Sequence, residues 1–262
     1  TEGHAMNDIA SQLDLLWPAF VAGLIVLATH VPLGIQVLAR GIIFIDLAVA
    51  QVAGLGALAA HLAGYGDNPW IVQGAAVGAA LAAALLLQGS EKRWPQLQEA
   101  LIGLLFVLAA SGAVLLLARD AHGGEHLRDL LVGQMLWVSQ SQLLAAAAIS
   151  AGLLLAWKAA GRAGGGLTFY TLFSVAVTVS VQLVGVYLVF ASLIVPALAS
   201  HGLQQRRLAT GFAIGAAGYA GGLSLAALAD LPAGAASVWM LAAAGLVVAL
   251  LRASVAPSRP IC

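Results

Sequence analysis

The sequence predicts an all-α, polytopic integral membrane protein with eight or nine transmembrane segments. Of its 262 residues, 61% are hydrophobic and 8% charged, with a mean hydropathy of +0.98, whereas a soluble domain is about a quarter charged. The apolar residues also fall in long runs between polar breaks, and roughly 20 of them suffice for a helix to cross the hydrocarbon core. Eleven basic and eleven acidic residues cancel, leaving no electrostatic footprint for nucleic acid. The only cysteine is Cys262, which excludes internal disulfides, thiolate metal clusters and CxxC redox chemistry.

Thr1–Ala5, ahead of Met6, reads as an expression leader and is set aside together with His4. Residues 1–14 then comprise this leader and an outer segment, 15–252 one transmembrane domain, and 253–262 a cytoplasmic tail. Spans are read at Leu15–Leu38, Ile42–Ala63, Ile71–Leu87, Ala100–Ala118, Met135–Trp157, Leu208–Ala229 and Ala235–Leu251. The stretch Phe169–Ser200 is too long for one upright span and short for two at about 1.5 Å per residue, and Gly185 interrupts it at the centre.

Charge decides how that stretch crosses. If it crosses once, five basic residues (Arg40, Lys92, Arg93, Lys158, Arg162) oppose six (Arg119, Arg128, Arg206, Arg207, Arg252, Arg259). If it enters at Phe169, turns at Gly185 and returns, nine oppose two, as the positive-inside rule requires. A short helical hairpin, Phe169–Val184 and Val186–Ala199, is therefore expected. The N-terminus lies outside and the C-terminus in the cytoplasm.

Within RGIIFIDLAVAQVAGLG, Asp46 sits in an apolar run. A carboxylate at membrane depth costs roughly 2.5–3.5 kcal/mol and is tolerated where it faces protein, water or a cation. It reads either as part of an ion path or as a structural carboxylate. Ala50, Ala53 and Ala57 follow on its helical face and lead, about 22 Å on, to His61. His61 is read as a metal ligand or as an interfacial histidine. Gln51 lies about 140° round the helix from Asp46, and joins the pathway candidates.

The outer loop RDAHGGEHLRD gathers His122, Glu125 and His126, whose imidazole and carboxylate groups are zinc ligands when thiolates are absent. The alternative is a solvated loop that docks a partner. Thr171, Ser174, Thr178 and Gln182 form a polar stripe on one helical face, read equally as a hydrated conduit and as hydroxyls bonded to their own helix. Pro196 would free a carbonyl inside its helix. His30 reads as a core histidine. Gly211, Gly215, Gly218 and Gly222 permit close helix packing, within the subunit or across a dimer.

Three stretches resemble a known family. RGIIFIDLAVAQVAGLG, VGVYLVFASLIVPALAS and ADLPAGAASVWMLAAAGLVVALL are similar, in order and separation, to segments of the permeases that import zinc, manganese or iron through ABC transporters. The resemblance implies an all-α permease, related in fold to siderophore and cobalamin importers. It would work as a homodimer in the prokaryotic inner membrane with a separate ATPase subunit and an extracytoplasmic metal-binding protein. No cofactor would be held permanently; the metal is cargo, with zinc expected before manganese. The chain has no GxxxxGK[ST] phosphate loop. Two departures stand out. Ala50 occupies the position where family members carry a histidine one turn after the aspartate. The loop after Trp157, where the family has a coupling helix, is KAAGRAGGGL, and Gly164–Gly166 disfavour a helix there. His201–Arg207 is the next candidate for coupling. A stand-alone secondary transporter or channel using Asp46 as its ion or proton site is the alternative.

Overall fold

The fold comes from a computed structural model that describes residues 2–117, 131, 133, 135–161 and 165–255, with side chains between Leu16 and Arg252 in those ranges. Nine α-helices lie among them: α1 (Glu2–Arg40), α2 (Ile45–Ala60), α3 (Pro69–Arg93), α4 (Gln98–Leu117), α5 (Gln140–Ala160), α6 (Gly166–Val184), α7 (Val186–Ala199), α8 (Arg207–Ala229) and α9 (Ala233–Val255). Eight are long and apolar enough to cross a membrane, α2 together with the π-turn that follows it, and α7 is the short exception at 14 residues. The chain is thus an all-α polytopic membrane protein.

Local chemistry sets the ends of the helices. At α3, the Asn68 side chain accepts from Trp70 N–H at 3.1 Å, and Pro69 takes the first position, where a missing donor costs nothing. The fifth span begins later than the apolar run suggests. Met135–Trp137 form a 3₁₀ turn, and Ser139 opens α5 through a reciprocal capping box with Gln142. The hairpin starts earlier than Phe169, because Gly166 enters the first turn of α6. Its glycine penalty is small there, since first-turn N–H groups lack helical partners in any case. Gly185, at φ +81° and ψ 163°, separates α6 from α7 as expected, in a conformation that suits glycine.

The α6–α7 hairpin is the centre of the bundle. Helix α6 packs on α1, α2, α3 and α5, while α7 packs on α1, α2, α8 and α9. A Cβ on Gly133, itself at φ +73°, would overlap the backbone of Val184 and Gly185. The apex of the hairpin is therefore covered by protein, the condition under which irregular backbone survives at membrane depth.

The four glycines of α8 serve packing within the subunit. Gly211 and Gly215 lie on Val31 and Leu27 of α1, and Gly218 and Gly222 on Leu241 and Ser237 of α9. As numbers rise along α1 they fall along α8, so Arg207 stands at the Arg40 end. There Arg40 lies 3.5 Å from Glu91 and 4.3 Å above the Phe169 ring, and Arg252 donates to the Ala199 carbonyl at 2.8 Å. The loops before and after the hairpin thus share one end of the bundle, the geometry that the nine-to-two count requires. Exposed Trp17, Trp70 and Trp137 mark the opposite end, as an interfacial aromatic belt would.

Candidate functional site

Asp46 stands in the first turn of α2, close to the Arg40 end rather than at mid-span. The chain reverses after α1 through Gly41 at φ +70°, and Ile43 N–H donates to the Glu99 carboxylate of α4 at 2.6 Å, which pins the start of α2. Asp46 is 1% exposed, and among the described residues no side chain bonds either of its carboxylate oxygens. The polar groups it faces are the amides of Asp46 and Leu47 at the open helix N-terminus. That dipole offers about 0.3–1 kcal/mol, less than the roughly 1–3 kcal/mol that a buried polar group costs when unsatisfied, and more when it is charged. As it stands, the carboxylate weakens the fold.

The alanine face beside it is closed. Ala50 and Ala53 are 2% and 3% exposed, and Gly56 abuts Ala75 and Ala79 of α3. The open face of α2 lies one step round the helix. Leu47 and Gln51 line a groove of about 700 Å³ with Phe106 of α4, Tyr187 and Phe190 of α7 and Trp239 of α9. Phe44 and Phe190 stack with ring centres 6.3 Å apart. The five-residue step from Asp46 to Gln51 therefore divides the two, one inside the subunit and one on its open face.

The remaining sequence candidates are dispersed. His61 begins the π-turn His61–Tyr65 at the far end of α2, exposed and with its ring against Gly66. On α6, buried Ser174 donates to the Thr171 carbonyl at 3.0 Å and Thr178 to the Ser174 carbonyl at 2.8 Å. Their hydroxyls donate to their own helix, while Gln182, the last residue of the stripe, is exposed. Pro196 is buried against Gly211. His30 is a core residue, its Nδ1 3.0 Å from the Val26 carbonyl. His122, Glu125 and His126 lie outside the described residues. Among the described residues no three of His, Cys, Asp and Glu converge on one point.

Two features escaped the sequence reading. Glu99, an acid at the start of an apolar helix, was a visible signal for the clamp on Ile43. Tyr219, whose hydroxyl lies 2.8 Å from Ser192 Oγ in the core, had none.

The described helices form a bundle of membrane-spanning segments around a broken central hairpin. The chain matches the ABC 3 transport family over residues 12–159 and 166–253 and belongs to it, as a metal-type ABC transporter permease. Two solved structures share its fold. PsaBC from Streptococcus pneumoniae in complex with Fab superposes at a TM-score of 0.72 with 19% identity, over 92% of this chain and 95% of that one. An inward-facing conformation of a metal-chelate type ABC transporter gives 0.56 with 15% identity, over 91% and 82%. No curated protein matches the chain.

Proposed function

We propose that this permease imports a divalent metal ion, zinc in first place and manganese as the alternative, delivered by an extracytoplasmic metal-binding protein and driven by a separate ATPase subunit in the inner membrane. The observation that carries the reading is Asp46, buried with neither oxygen bonded to a side chain among the described residues. A passing cation supplies the charge that no group among the described residues provides, and an ionisable side chain held this way inside a membrane bundle marks an ion path. With Ala50 at the next turn, the site offers oxygen ligands from one side chain. Such a site binds weakly, which suits an ion that has to leave again.

In this conformation Asp46 is closed off from the groove that Gln51 lines. Alternating access then consists of movement of α2 against its neighbours, bringing the carboxylate to the open face. A second copy of the chain covers that groove, whose walls are apolar apart from groups such as Gln51 and the Tyr187 hydroxyl. The homodimer so formed would place two copies of Asp46 beside one path. The loop His201–Arg207, braced by the bond from Arg252 to the Ala199 carbonyl, presents the surface for the ATPase.

Metal uptake into proteoliposomes tests this, using the permease with the ATPase that co-purifies. Zinc uptake is expected to need both ATP and that subunit. Uptake driven by a proton gradient without ATP would overturn the reading in favour of a secondary transporter.

A further inference from the structure

At the Arg40 end of the bundle, α1, α5 and α6 leave a pocket of about 460 Å³. Its polar wall comes from Gln36, Arg40, Lys158 and Thr168, and its apolar wall includes Trp157 and Phe169. Two of these residues are cations and none is an acid. Arg40 is paired with the partly exposed Glu91 at 3.5 Å, which offsets part of its charge, and stacks over the Phe169 ring at 4.3 Å. Lys158 is exposed at the rim.

An apolar crevice continues inward between the same three helices. Pro32 and Leu33 come from α1, Leu153 and Leu154 from α5, and Leu172 and Ala176 from α6, and Trp157 lines both spaces. Each crevice residue lies about one to two helical turns deeper than its counterpart at the mouth. The crevice holds about 40 Å³, room for roughly one or two methylenes, so the basic mouth above it suits a phospholipid's phosphate at the membrane surface with the start of a chain below. Basic pockets between transmembrane helices on the cytoplasmic side take anionic head groups. A free phosphate would occupy the mouth and leave the crevice without a role.

We infer that the seam between α1, α5 and α6 binds one anionic phospholipid of the inner leaflet, its phosphate between Arg40 and Lys158 and the first methylenes of an acyl chain entering the crevice. The inference rests on the orientation of the bundle and is independent of the transported ion. The site lies beside the loop in which the family's coupling helix is expected, so an ordered lipid there would brace the ends of α5 and α6.

Native mass spectrometry of the full chain, offered phosphatidylglycerol or phosphatidylcholine, reads the site directly. Phosphatidylglycerol is expected to be retained and phosphatidylcholine lost. Lys158→Gln should weaken retention about fivefold, the equivalent of about 1 kcal/mol for one cation at the surface. Leu154→Trp, which fills the crevice without touching the charges, should weaken it as well. Millimolar inorganic phosphate should not compete. Equal retention of the two lipids, or unchanged retention in both variants, overturns the inference. If phosphate displaces the lipid and Leu154→Trp is silent, the site belongs to a free phosphate and the lipid reading fails.

Discussion

Asp46→Asn separates transport from folding because it preserves shape while deleting the charge. The wild-type carboxylate, buried with neither oxygen bonded to a side chain among the described residues, costs about 2–3 kcal/mol as an unsatisfied buried group, of which the α2 N-terminus returns about 0.3–1 kcal/mol. An unpaired amide in the same place still costs about 1 kcal/mol. The difference leaves the variant about 1 kcal/mol more stable than the wild type. For a chain of this size that corresponds to a rise of about 2–4 °C in Tm. Thermal unfolding of the purified permease measures it, and ATP-driven zinc uptake in proteoliposomes measures function. The expected pair of results is a Tm equal to or above wild type and uptake reduced to background, with insertion and ATPase binding intact. A Tm several degrees lower would mean that the carboxylate has a structural partner. Uptake at the wild-type rate would take Asp46 off the path.

Gly34→Ala would drive a methyl group into the Leu193 carbonyl where α1 crosses α7; backbone cannot give way there, so a loss of about 1–3 kcal/mol is expected in thermal unfolding. An unchanged Tm would show that the crossing is looser than drawn. In a Cys262→Ser background, Arg206→Cys should react with an impermeant thiol reagent only from the cytoplasmic side, and labelling from outside would overturn the two-crossing hairpin. If that loop binds zinc as the sequence suggests, the double variant His122→Ala/His126→Ala should lose zinc binding measured by isothermal titration, since the two imidazoles are the nitrogen donors its sequence offers; equal affinity would remove the loop from the pathway.

Composition and the spacing of polar breaks were enough to determine the class of fold, because a helix in lipid has to satisfy its backbone internally and present apolar side chains all round. The sum of loop charges likewise required the Phe169–Ser200 stretch to leave and return, and the glycine ladder of α8 places Arg207 beside Arg40 as that count demands. Helix ends were less legible. Ser139 and Gln142 override the apolar run from Met135 through hydrogen bonds a few residues long, and hydropathy does not register them.

The site was legible as residue types and not as a place. Asp46 announced itself by its cost, yet nothing in the sequence shows that Ala50 and Ala53 beside it are buried. In a helix that is apolar all round, the sequence carries no signal for which face meets protein and which stays free, since both demand the same residues. Only the packing of α3, α4, α6 and α7 around α2 decides that Gln51 reaches the groove and Asp46 does not. The same holds for Ser174 and Thr178, whose polar stripe turned inward to their own carbonyls. Residue chemistry fixes what a side chain can do, whereas the helices brought beside it from distant parts of the chain fix what it can reach.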